Sequence, residues 1–200
     1  QVTKEIITDP FRNTVLQKVN FKATKQTAGD YHLYVLVAPH LNNHGEKNTG
    51  WVGEYKGGEM LYAQSDGLCL ALACDSKWIK RSVGYVGHSD GWTDLHKHKK
   101  MEWEYEQADD GNIALTAEID ISENTEFILS LGFGRNVNEA SHHAYSSILD
   151  GFDSLKERYI DEWEKWIKSL RKLEAKNYKI SARVMRMQET KTVPGGSIAS

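Results

Sequence analysis

From residue 1 to about residue 135, apolar and polar positions follow a period of two. Val15, Val19 and Phe21 share one parity, as a half-buried strand requires. Tyr31 to Ala38 is a β-rich run that Pro39 stops. Two strands flank Lys56-Gly57-Gly58, a hairpin signal. Ser65-Asp66-Gly67 then turns the chain into Leu68-Cys69-Leu70-Ala71-Leu72-Ala73-Cys74, which is apolar throughout and predicts a strand buried on both faces. Met101 to Gln107 and Ile113 to Ile121 read as two strands of a hairpin around Ala108-Asp109-Asp110-Gly111-Asn112. In the second of them Ala114, Thr116, Glu118 and Asp120 alternate with apolar residues, which predicts an outer, solvated face. Glu126 to Gly134 is one more strand. Many short strands with turn signals between them predict a mainly β fold, an antiparallel sandwich over about residues 1–135.

Near residue 137 the period changes. Asn138 and Glu139-Ala140-Ser141 open a helix to about Leu149, and Gly151 breaks it. Next, Phe152, Leu155, Tyr159, Trp163, Trp166, Leu170 and Leu173 recur at spacings of three and four, with charges of both signs between them. This predicts an amphipathic helix of about 20 residues, ~30 Å long. Its face carries Tyr159, Trp163 and Trp166, more aromatic surface than a tether needs, so these three are candidate domain-interface residues. A third helical stretch is expected around Ser181 to Met187. The C-terminal α-helical part therefore reads as a linker over 137–176, with 177–200 as the beginning of another domain. The chain stops inside a Gly-rich turn that enters a small-residue apolar run, so the parent is expected to continue.

The totals narrow the partners more than the fold. A chain of 200 residues with 40% hydrophobic and 26% charged residues is globular, and its net charge of −3 gives no pull toward nucleic acid or anionic membrane. No stretch reaches the ~18 apolar residues of a membrane span. Gln1 to Glu5 has neither the basic head nor the apolar core of a signal peptide. Cys69 and Cys74 would lie ~17 Å apart on one extended strand, too far for a disulfide, and read as small buried thiols.

Several stretches then fall into an ordered set: Thr8-Asp9-Pro10-Phe11-Arg12-Asn13-Thr14-Val15-Leu16, Tyr31 to Leu41, Ser82 to Asp94 (SVGYVGHSDGWTD), Asp110 to Leu115, Leu131-Gly132-Phe133-Gly134, and Thr190 to Ser200 (TKTVPGGSIAS). Together they resemble the N-terminal region of prokaryotic glucoamylases and glucodextranases of glycoside hydrolase family 15. The resemblance implies an antiparallel super-β-sandwich, incomplete at its start over 1–136, then a helical linker and an (α/α)6 catalytic barrel in the same parent chain. It also implies an inverting exo-hydrolase acting on α-1,4 or α-1,6 glucans. The two catalytic Glu of the family lie in the barrel, past Ser200, and map onto no position here.

The side chains themselves point the same way. Inverting glycoside hydrolysis needs two carboxylates ~6.5 to 9.5 Å apart. Glu102, Glu104 and Glu106 share one parity, but the expected inward face belongs to Trp103 and Tyr105, which leaves the three acids in water. His96 and His98 sit among Lys97, Lys99 and Lys100, which would repel a cation; neither a metal site nor a cofactor is read. His142 and His143 point in different directions on a helix. There is no G-x-S-x-G elbow, and Gly195-Gly196-Ser197 lacks the lysine of a phosphate loop. The stretch with sugar-binding chemistry is Asp90-Gly91-Trp92-Thr93-Asp94. An exposed indole stacks on a sugar face and carboxylates take hydroxyls. Trp92, Asp90 and Asp94 are therefore candidate contacts for an α-glucan, with Trp51 a weaker one. The plainer reading is a turn whose Trp92 anchors the loop.

Overall fold

The structure is a computed structural model, and it describes residues 1–25, 27–172, 177–191, 193, 195 and 196. Among the described residues ten strands form two antiparallel sheets. The strands are β1 (Val2–Thr8), β2 (Thr14–Phe21), β3 (Leu33–Val37), β4 (Asn48–Tyr55), β5 (Gly58–Ser65), β6 (Leu68–Cys74), β7 (Trp78–Tyr85), β8 (Gln107–Gly111), β9 (Ile113–Ile119) and β10 (Glu126–Gly134). The larger sheet has the order β1-β2-β10-β6-β5-β4-β8 and the smaller β3-β9-β7. The α-helices of the described residues are α1 (Gly91–His98), α2 (Val137–Asp150), α3 (Phe152–Ser169) and α4 (Tyr178–Met187).

The tight turns follow from their residues. Lys56 and Gly57 have φ of 51° and 78°, and Asp66 and Gly67 have 43° and 78°. Two consecutive positive φ values are those of a type I′ turn, whose twist matches the flanking strands, and glycine takes the second at no steric cost. These turns pin β4–β5–β6 into a meander in which alternate side chains part cleanly. Leu61, Ala63, Leu70 and Leu72 enter the core between the sheets with Val19, Phe21, Val83, Leu115, Ile119, Phe127 and Leu129. Met60, Tyr62, Cys69, Ala71 and Ala73 face the other way, against α2. The unbroken apolar run of β6 is thus buried on both faces, as expected, and both cysteines are free.

The outer face of the larger sheet is narrow where α2 crosses it. β10 presents Ser130 and Gly132 there, and α2 presents Ala140 and Ala144, each fully buried. A Cβ on Gly132 would lie 2.4 Å from the Ala140 carbonyl oxygen, so only glycine permits this approach. The Ser130 hydroxyl donates to the Ala144 carbonyl at 3.0 Å. Asn136 caps α2 through Glu139 N–H, two residues before the expected start. Gly151, with φ of 81°, separates α2 from α3 as expected. Phe152 and Leu155 then bury α3's first turn against Leu16.

Four expectations are corrected. Residues 101–106 form no strand; their backbone bridges β7 and β4, with Val83 N–H donating to Tyr105 O and Val52 N–H to Glu106 O, each at 2.8 Å. Trp103 is half-buried and Tyr105 exposed rather than both inward. β8 and β9 are not a hairpin, because they belong to different sheets: the turn signal at 108–112 marks where the chain crosses the sandwich. The polar face of β9 is not solvated: Ala114, Thr116 and Glu118 are buried, with α1 laid across it and Glu118 paired with His32 at 2.6 Å. β7 and α1 carry little periodic signal. A register shift between Trp78 and Lys80 interrupts the alternation of β7, and α1 is eight residues long with few apolar ones.

Candidate functional site

Residues 82–94 enter as β7 and leave as α1, and the serine and aspartate side chains of the stretch are spent on the fold. The Ser82 hydroxyl accepts from Tyr105 N–H at 3.0 Å, and the Ser89 hydroxyl from Tyr85 N–H at 3.0 Å. Gly91 lets α1 touch β9: a Cβ there would lie 2.2 Å from Thr116 Cγ2. Asp90 caps α1, its Oδ1 accepting from Thr93 N–H at 3.2 Å, from Gly87 N–H at 3.3 Å and from the Thr93 hydroxyl. Asp94 accepts the backbone N–H groups of Glu102 and Trp103 on Oδ2, each at 2.8 Å, while Oδ1 lies 2.7 Å from His98 Nδ1. Asp90 and Asp94 are 3% and 1% exposed, so their carboxylates organise the loop from inside. Trp92, at 69% exposed, is left on the surface. The three sequence candidates are therefore adjacent in the chain but face opposite ways.

Trp51 lies elsewhere. It stacks on Tyr62 at 5.3 Å and 21° in the cluster under α2, where the Tyr62 and Ser141 hydroxyls are hydrogen-bonded at 3.1 Å. One face of that indole is thus occupied.

Of the acids and histidines considered for catalysis and metal, His98 Nδ1 comes within 3.9 Å of Glu102 Oε2. Glu102 and Glu104 are exposed and pair with Lys100 and Lys80 at 3.2 and 3.0 Å. His143 Nδ1 lies 2.7 Å from the Phe133 carbonyl oxygen, whereas His142 lies beside Ser146. Among the described residues no group of three or more His, Cys, Asp or Glu converges.

The second surface is the hairpin of α3 and α4. Tyr159, Trp163 and Trp166 line up along α3 as the spacing predicted, Trp163 and Trp166 edge to face at 5.6 Å. Arg186 of α4 lays its guanidinium over both indoles, 5.7 and 4.9 Å from their centroids. The three aromatics are half-buried, while Ile160 on α3 and Ile180, Val184, Met185 and Met187 on α4 stay exposed. Leu173, also expected on this stripe, lies outside the described residues, as do Thr192, Pro194 and 197–200 of the terminal motif.

Sequence reasoning missed one cluster, at the turn between β1 and β2. Asp9 is fully buried and accepts Phe11 N–H at 2.7 Å, Arg12 N–H at 3.1 Å, the Arg12 guanidinium at 3.0 Å and the Ser147 hydroxyl of α2 at 2.6 Å. Burial pushes the Asp9 carboxyl up, but these hydrogen bonds, Ser147 first, outweigh it and hold it below its ordinary value. Arg12 reaches on to Asp150 at 2.7 Å. The only forewarning was the stretch Thr8 to Leu16 itself, whose polar residues look like an ordinary turn.

Sheets, helices and loops together define a helix-clad antiparallel β-sandwich domain with an appended helical hairpin. A family profile described as glucodextranase, domain N, matches residues 1–168. The chain belongs to that glucodextranase N-domain family. A glucoamylase from Clostridium sp. (strain G0005) is 38% identical over 203 residues, covering 100% of this chain and 29% of its own length. The crystal structure of a bacterial glucoamylase complexed with acarbose matches with a TM-score of 0.89 at 37% identity, covering 100% of this chain and 30% of that one. The chain thus spans under a third of the length of these relatives.

Proposed function

We propose that this chain is the non-catalytic N-terminal portion of an exo-acting, glucoamylase-like α-glucan hydrolase, and that it packs on and supports a catalytic barrel in the same parent chain. The observation that carries the reading is full-length similarity to glucoamylases of which it matches 29–30%. The exposed apolar side chains of α3 and α4 fit it, since a partly apolar helical surface suits a neighbouring domain better than a soluble sugar. In this reading 1–136 is the sandwich, 137–176 the linker and 177–200 the opening of the barrel domain. α2 and the start of α3 are linker in sequence and sheet cover in space. The inverting pair of carboxylates belongs to the barrel.

A second reading, a glucan-binding sandwich, draws on one observation: within residues 82–94, Trp92 keeps its ring exposed while Asp90 and Asp94 are consumed by the fold. One set of measurements separates the two. The purified chain should release no glucose from maltooligosaccharides and give flat calorimetric titrations with them. Turnover by the chain alone would sink the support reading. Saturable binding abolished in Trp92→Ala would replace it with the sugar-binding one.

A further inference from the structure

The turn between β1 and β2 has two sides. On the inner side, Asp9 Oδ1 gathers the N–H groups of Phe11 and Arg12, and Asp9 Oδ2 is held by Arg12 and by Ser147 of α2. On the other side, the carbonyl oxygens of Asp9 and Arg12 converge on a single donor. Lys191, 182 residues along the chain from Asp9, donates its ammonium to both, at 2.7 Å for the Arg12 oxygen. The Arg12 oxygen also accepts Thr14 N–H at 2.9 Å, so both of its lone pairs are filled. Lys191 lies four residues past Met187, the last residue of α4, and beside it Thr190 N–H donates to Gly196 O at 2.8 Å.

We propose that the turn at residues 9–14 is a clasp for the segment leaving α4, and that Lys191 is the positioning residue that closes it. The clasp joins β1–β2, α2 and the post-α4 segment at one point. It thereby fixes the angle at which that segment departs from the sandwich. Its use in orienting a following barrel rests on the support reading above; the clasp itself does not. A flexible lysine suits the task because a compact ammonium can bridge two carbonyls, and a charged donor makes stronger hydrogen bonds than a neutral one.

Hydrogen exchange read by mass spectrometry tests it on the 200-residue chain. In Lys191→Met the stem is retained and the donor lost. Amides of α4 and of Thr190 should then exchange about tenfold faster, the scale of one charged hydrogen bond, while amides of β2, β6 and β10 keep their rates. Lys191→Arg, which can still bridge the carbonyls, should restore most of the protection. Unchanged exchange at α4 and Thr190 in Lys191→Met overturns the clasp. So does an equal acceleration throughout the sheet, which would mean general destabilisation. Glucose release by the chain alone would remove the support reading and leave the clasp standing.

Discussion

The helical segment meets two different surroundings along its length. α2 and the first turn of α3 lie on the larger sheet, with Ala140, Ala144, Phe152 and Leu155 almost wholly buried. Past Lys156, which pairs with Glu5 of β1, α3 leaves the sheet. From there its aromatics meet each other and Arg186, and α4 keeps Ile180, Val184 and Met187 in the open. The first region uses small residues to bring backbones close. The second uses large residues, of which Ile180, Val184 and Met187 stay more than half exposed. Apolar area stabilises a fold only when it leaves water, at about 25 cal/mol per Å². Helix amphipathicity is therefore the same kind of signal in both regions, yet among the described residues the apolar face is fully covered only in the first.

That contrast breaks if both halves respond alike to truncation. Leu155→Ala should cost about 3 kcal/mol in urea unfolding, because it empties a fully buried site. Trp163→Ala, a larger deletion, should cost under about 1 kcal/mol, mostly the lost cation–π contact. Equal losses would mean that the hairpin is packed as firmly as the sheet cover. Gly132→Ala sharpens the first region. Its added carbon meets backbone of α2, which cannot swing aside, so about 2 kcal/mol and several degrees of Tm should be lost. A neutral result would show that α2 can lift from β10.

The smallest effect concerns the link between the two regions. The Asp9 carboxyl sits below its ordinary value of 3.8, so its contribution is full above that value and fades as pH falls through the lower, folded one. Burial raises the Asp75 carboxyl, which works in the opposite sense and is relieved by acid. Unfolding free energies measured from about pH 5 down to about pH 3 should therefore fall less steeply in Asp9→Asn than in the parent chain, by about 1 kcal/mol across the range. An identical acid limb would take Asp9 out of the acid response.

Much of the architecture was legible from local pattern. Alternation placed Val19 and Phe21 on the core side, turn chemistry placed the bends at Lys56-Gly57 and Asp66-Gly67, and the three-and-four spacing aligned Tyr159, Trp163 and Trp166. The candidate site was less legible. Asp90, Trp92 and Asp94 were singled out together, but the spacing could not say that two carboxylates turn inward while the indole turns out.

What the sequence by itself determined is which residues seek burial, where the chain reverses, and where the period passes from two to three and four. These are properties of neighbours along the chain, governed by backbone sterics and side-chain direction. Only the tertiary structure decided that β8 and β9 part into different sheets, that α1 lies on Thr116 of β9, that Asp94 holds Glu102 and Trp103, and that Lys191 returns to Asp9. Each of those outcomes depends on a polar group finding its partner, or a surface its cover, among residues brought close by folding. A period of two or of 3.6 carries no record of which distant backbone will arrive there.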